Sequence, residues 1–165
     1  MKYLFCTVLL ISMLSAPNVF PQDENTYITG TPWFYEKLEV SLEILIENNE
    51  ITAIIICKNN TGFNVYVPNQ YIDIFTNYEG KKIATNNFFL IYNQNNEIAE
   101  YYGFGTKFSH DKENSVLLKN NDYLTIKIEH LEEIYIIPNG TSELFISYYS
   151  TIAPPSNTVQ VEYRN

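Results

Sequence analysis

The chain has 165 residues and a formal net charge of −9, from 19 acidic and 10 basic side chains, and it is 45% apolar and 15% aromatic. That length fits one domain with a core large enough to need no disulfide staple, and the apolar and aromatic share excludes a disordered chain. An acidic field without a Lys/Arg stripe repels polyanions, so no nucleic-acid partner and no anionic membrane surface is expected, and the acidity reads first as solubility.

The N-terminus differs in composition from the rest. Met1-Lys2 gives a short positive start, Tyr3 to Leu14 runs apolar without a charge, and Ser15-Ala16-Pro17-Asn18 turns small and polar. This is the layout of a secretory signal peptide, and the apolar run falls short of the roughly 20 residues that a membrane-spanning helix needs. The expected organisation is a signal peptide over residues 1–22, cleaved between 16 and 22, followed by one β-sandwich domain over residues 23–165. No membrane insertion is expected once the signal is removed. Cys6 would leave with the signal, and it sits inside the apolar run rather than after it, where lipid attachment would need it. Cys57 is then a single thiol without an internal disulfide partner; it closes Ile54-Ile55-Ile56 and reads as a buried small hydrophobe rather than a nucleophile.

From residue 38 the hydrophobic period is two. Leu38, Val40, Leu42, Ile44 and Ile46 alternate with Glu39, Ser41, Glu43 and Glu47, interrupted by Leu45. Glu47-Asn48-Asn49-Glu50 predicts a turn and an antiparallel return, and the continuous run from Ile51 to Cys57 predicts a strand covered on both faces or central in its sheet. Asn59-Asn60-Thr61-Gly62 punctuates, Phe63, Val65 and Val67 alternate until Pro68, and Tyr71 to Thr76 reads as another short strand. Phe88 to Tyr92 and Glu97 to Tyr102 flank Asn93-Gln94-Asn95-Asn96 as a candidate hairpin. Val116 to Leu118, Leu124 to Ile128, Leu144 to Tyr149 and Thr158 to Tyr163 supply further strands; His130 to Ile137 is the one stretch with the character of a helical turn. Short strands at regular spacing indicate a sandwich or small barrel, and their unequal exposure favours the sandwich.

The stretch from Val116-Leu117-Leu118 through Asn120-Asn121-Asp122 and Tyr135-Ile136-Ile137-Pro138-Asn139-Gly140 to Leu144-Phe145-Ile146-Ser147-Tyr148 resembles the closing half of exported immunoglobulin-like β-sandwiches. Similar layouts occur in the BsuPI-type proteinase-inhibitor fold and in the non-catalytic sandwich region of deuterolysin-like metallopeptidases. The resemblance implies an all-β, immunoglobulin-like antiparallel sandwich and carries no activity with it. A peptidase of that kind would bring a His-Glu-x-x-His helix, whereas this chain has only His110 and His130.

Three segments are candidates for chemistry. His110-Asp111-Lys112-Glu113 reads as a solvated loop, because neighbouring residues on one loop seldom converge on a metal. Glu129-His130-Leu131-Glu132-Glu133 offers paired carboxylates beside an imidazole, which would suit acid–base catalysis if Glu129, His130 and Glu132 lined one concave pocket; at a strand end in an acidic chain the first reading is again solvation. The third is aromatic. Trp33-Phe34-Tyr35 and Tyr101-Tyr102-Gly103-Phe104-Gly105 place consecutive rings on opposite faces of extended chain, so at least one ring in each should leave the core. Trp33, Tyr35, Tyr101, Tyr102 and Phe104 are the candidate binding surface. The expected protein is therefore an exported, non-enzymatic binding module, with no catalytic residue, cofactor or metal. A protein partner would be met at loops or a free strand edge; a carbohydrate-binding module using the two aromatic clusters is the alternative. Asn59 and Asn139 each open an Asn-x-Thr triplet, a glycosylation acceptor in a competent host.

Overall fold

The computed structural model describes residues 25–27, 37–78, 81–103, 105, 112–150 and 155–164. The expected signal peptide, Trp33, Tyr35, Phe104 and His110 lie outside them. Regular structure is all-β, broken by 3-10 turns at Asn69–Tyr71, Lys112–Asn114 and Leu131–Glu133. No helix among the described residues is long and apolar enough to cross a membrane.

The first strand, β1 (Asn25–Tyr27), is followed by a long hairpin of β2 (Leu38–Glu47) and β3 (Glu50–Asn59), paired from Glu47↔Glu50 to Leu38↔Asn59. Asn48 and Asn49 both take positive φ, 53° and 67°, as a two-residue hairpin turn demands, and Asn tolerates that region better than most side chains. Leu38 and Leu42 of β2 are buried, Val40, Ile44 and Ile46 are half-buried, and the glutamates between them are exposed. Leu45, which interrupts the alternation, lies on the wet face at 49% exposure. The continuous run in β3 is central in its sheet: β10 (Tyr123–Ile128) flanks it on one side and β2 on the other. Ile51, Ala53, Ile55 and Cys57 face the core, while Thr52, Ile54 and Ile56 are half-buried on the reverse face.

After β4 (Asn64–Pro68) the chain departs from the expected strand over Tyr71 to Thr76. It makes the Asn69–Tyr71 turn, and β5 begins only at Phe75, running to Tyr78 and pairing with β6 (Lys81–Ala84). Tyr71 and Ile74 are both 1% exposed. A three-residue spacing puts two side chains on one side of a turn, whereas a strand would send them to opposite faces.

The remaining strands are β7 (Phe89–Asn93), β8 (Glu100–Tyr101), β9 (Ser115–Leu118), β10, β11 (Tyr135–Ile136), β12 (Glu143–Tyr148) and β13 (Val159–Glu162). They form sheets of order β1-β4-β9, β10-β3-β2, β13-β12-β7 and the two-stranded β11-β8. The pairing of β1 with β4 is parallel and the other ladders are antiparallel. The expected hairpin at Asn93 to Asn96 forms a turn, with Asn96 at φ 61° and a Tyr92↔Ile98 bridge, but β7 takes its long ladder with β12.

The inward side chains of these sheets meet in one apolar cluster that includes Ile51 and Ile55 from β3, Val65 from β4, Ile91 from β7, and Leu144 and Ile146 from β12. Each such residue contributes about 1.5–3 kcal/mol on burial, against about 0.5–1.5 kcal/mol net for a typical uncharged hydrogen bond. Phe88, Phe89, Tyr71 and Tyr148 extend the cluster by ring contacts of 5.1 to 5.9 Å between centroids. Cys57 belongs to it at 5% exposure, and burial pushes its thiol up to about 11.

Candidate binding groove

The groove is built on the short ladder of β8 and β11, in which Tyr101 pairs with Tyr135 and Glu100 with Ile136. The Tyr102 N–H extends the ladder by donating to the Ile134 carbonyl at 2.8 Å. Alternation then sorts the side chains. Tyr101 turns inward, half-buried, with its ring 5.6 Å from that of Tyr135. Tyr135 is buried; its hydroxyl donates to Asn87 Oδ1 at 2.7 Å and accepts the Phe89 N–H at 3.1 Å, and burial holds it well above the usual phenol range. Tyr102 turns outward at 71% exposure and Ile136 at 57%. They lie diagonally across the ladder on one face, within side-chain reach. Gly103 lets the strand pass, because a Cβ there would lie 2.7 Å from the Ala84 carbonyl oxygen and against the Tyr101 hydroxyl.

Beside this ladder runs the Leu131–Glu133 turn. Leu131 is fully buried and pins it to the core, so the flanking residues are held at the surface. His130 enters the turn in the left-handed region, φ 61°. Glu132 Oε2 accepts the Ile51 N–H at 2.6 Å, while Oε1 is 3.1 Å from His130 Nδ1. One carboxylate thus ties the turn to the first residues of β3. The hydrogen bond to Glu132 raises the His130 pKa above its ordinary value, partial desolvation opposes it, and the charges of Glu132, Glu133 and Glu50 add to the rise.

Ladder and turn flank an open groove of about 550 Å3. Tyr102 and Ile136 form its lip, Tyr135 and Tyr163 its buried floor, and Glu132 and Glu133 one wall, with Ile137 between. Tyr163 is 6% exposed, and burial together with the Glu132 charge raises its pKa. No Lys or Arg is among the described residues lining this groove. Nearby, Glu47, Glu50, Glu129 and His130 line a smaller hollow of about 250 Å3, and Lys127 pairs with Glu129 there. Glu129 and His130 line this hollow, whereas Glu132 lines the groove and meets His130 Nδ1 at 3.1 Å between the two.

The donor atoms of His130, Glu132 and Glu133 lie within 4.8 Å of one another. Glu132 is hydrogen-bonded through both oxygens, Oε2 to the Ile51 N–H and Oε1 to the imidazole, and these contacts account for the cluster, so no metal site is assigned.

Of the five expected surface aromatics, Tyr102 lies at the groove and Tyr101 beneath it, whereas Trp33, Tyr35 and Phe104 fall outside the described residues. Ile136 and Tyr163 are groove residues that the sequence reading does not single out, whereas Glu132 and Glu133 belong to the acidic candidate segment and lie in this groove. The Tyr135-Ile136-Ile137 run did carry a signal for the first, because adjacent strand residues cannot both face the core. A second apolar surface lies on the outer face of β7 and β12, where the paired Tyr92 and Phe145 rings stack at 5.1 Å and 7° beside Leu90 and Ile98. No protein-family model matches the chain, and a search of curated proteins finds no match.

Proposed function

We propose that the chain is an exported, non-enzymatic module with an immunoglobulin-like sandwich architecture that binds another protein through the groove of β8, β11 and the Leu131–Glu133 turn. The observation that carries this reading is the pair Tyr102 and Ile136, two large side chains 71% and 57% exposed on one face at the lip of a groove. Large exposed apolar groups beside a concavity are a common mark of a contact surface, and aromatic side chains are enriched in such contacts. The antiparallel ladders and their shared core support the sandwich, and the N-terminal composition supports export.

The test is capture of partners from the extracellular or periplasmic fraction of the source cells, with the purified chain as bait. A partner held by the native chain, lost with Tyr102→Asp or Ile136→Asp and kept with the sheet-surface control Thr125→Asp, is the expected result. Retention by all four overturns the groove. A glycan array bound by the native chain and not by Tyr102→Ala would move the reading to the carbohydrate-binding alternative, in which the exposed ring stacks on a sugar.

A further inference from the structure

The groove is not neutral, and its polarity restricts what can enter. Its lip and floor are aromatic and aliphatic, while one wall carries Glu132 and Glu133. Glu132 is already engaged by Ile51 and His130, which leaves Glu133, exposed at the end of the turn, as the carboxylate an incoming group meets first. An apolar occupant would strip water from both carboxylates without replacing it, which costs free energy. An anionic occupant would be repelled by them and by the net charge of −9.

We infer that the groove takes a basic side chain, lysine or arginine, presented by the protein partner; this rests on the protein-binding reading above. Such a side chain matches the groove along its length. Its methylene stem lies against Ile136, Ile137 and the face of Tyr102, and its charged head reaches Glu133, with Glu132 behind it. Arginine fits better than lysine, because its planar head can stack on the Tyr102 ring and bond a carboxylate with two parallel N–H groups.

The probes are Nα-acetyl-arginine methylamide, the lysine equivalent and the uncharged norleucine equivalent, titrated into the isotope-labelled full chain while backbone amide shifts are followed. The expected result is saturable shifts at Tyr102, Ile136 and Ile137 with the arginine and lysine probes, at affinities roughly fivefold or more above norleucine. Glu133→Gln should weaken the arginine probe by about the same factor and leave norleucine unchanged. Equal binding of norleucine and arginine, an unaltered Glu133→Gln titration, or no saturable shift at these amides with any probe overturns the inference. Failure here with Tyr102-dependent capture intact leaves a protein-binding groove that is not selective for basic side chains. Loss of that dependence removes the underlying reading itself.

Discussion

Asn157 acts on Leu42 as a strand one residue long. Its Nδ2 donates to the Leu42 carbonyl at 3.0 Å and its Oδ1 accepts the Leu42 N–H at 2.8 Å, so a side-chain amide supplies both bonds that a neighbouring strand would have made. β2 is the outer strand of β10-β3-β2, and an unpaired outer strand is a template for pairing with another chain. Asn157 blocks that edge at its middle. Asn157→Ala is expected to lower stability by about 1–2 kcal/mol, read as a lower urea midpoint at unchanged slope. Asn157→Asp should cost at least as much, because it keeps the acceptor but sets a carboxylate against the Leu42 carbonyl. Variants as stable as the native chain would show that water replaces the amide at no cost.

The contrast between that contact and the hairpin it protects shows what the sequence discloses. The alternation from Leu38 to Ile46 and the Asn48-Asn49 turn are local, and they specify strand, facing and register together. Asn157 and Leu42 are 115 positions apart, and Glu132 and Ile51 are 81 apart. Nothing near either residue marks the partner. The acidic stretch Glu129 to Glu133 reads as a solvated strand end because solvation is the commoner fate of such residues, yet one of its carboxylates accepts the backbone N–H of a residue distant in the sequence. The groove was legible in part: alternation predicts one exposed ring in Tyr101-Tyr102, but only the fold brings Ile136 and Tyr163 beside it.

The two Asn-x-Thr triplets have opposite fates. Asn59 is fully buried: its Nδ2 donates to Phe63 O at 2.7 Å and Leu118 O at 3.1 Å, and its Oδ1 accepts from the Thr61 N–H and hydroxyl. A sugar on that nitrogen would displace both carbonyls, so Asn59 is not an acceptor in the folded chain. Asn139 is exposed in the turn before Gly140. Expression in a glycosylating host should give a chain carrying sugar at Asn139 alone, with the added mass removed by Asn139→Gln at little cost in stability. Asn59→Ala removes these four hydrogen bonds, two of donation and two of acceptance, and should lose about 2–4 kcal/mol. Intact-mass and peptide mapping check the first expectation and denaturant unfolding the second; a folded chain with sugar on Asn59 would refute this account.

Cys57 should be chemically silent while the chain is folded. Burial pushes its thiol up to about 11, whereas in the unfolded chain it titrates near the ordinary cysteine value of about 8.5. At pH 8.5 the native thiolate fraction is then smaller by about a hundredfold, and steric cover slows attack further. A disulfide reagent added to the native protein at that pH should react at least about a hundredfold more slowly than with the same protein in denaturant. By linkage, ionisation of this group favours the unfolded chain, so its contribution to stability falls as pH rises above the unfolded value. Rapid labelling of the native chain would place Cys57 outside the core.

His130 makes the stability of the Leu131–Glu133 turn depend on pH, in a direction set by Glu132. The groups acting on the imidazole are Glu132 at 3.1 Å, Glu133 on the same turn and Glu50 from β3 across the junction; Lys127 from β10 and Glu129, which follows that strand, line the hollow beside it. Because the folded pKa is raised above the unfolded value of 6.5, the protonated ring binds more favourably in the folded chain. Its contribution is present in full below the unfolded pKa and is lost as pH rises through the folded one. His130→Asn separates this from backbone strain, since Asn tolerates the left-handed φ of 61° but does not titrate. The difference in thermal midpoint between native and His130→Asn chains is expected to favour the native chain near pH 5.5 and to narrow steadily toward pH 8.5. Over the same interval the imidazolium that offsets Glu132 disappears, so the arginine probe should bind more tightly at the upper pH. A midpoint difference that is flat from pH 5.5 to 8.5 would mean that the ring titrates alike in folded and unfolded chains, and that Glu132 is held by Ile51 alone.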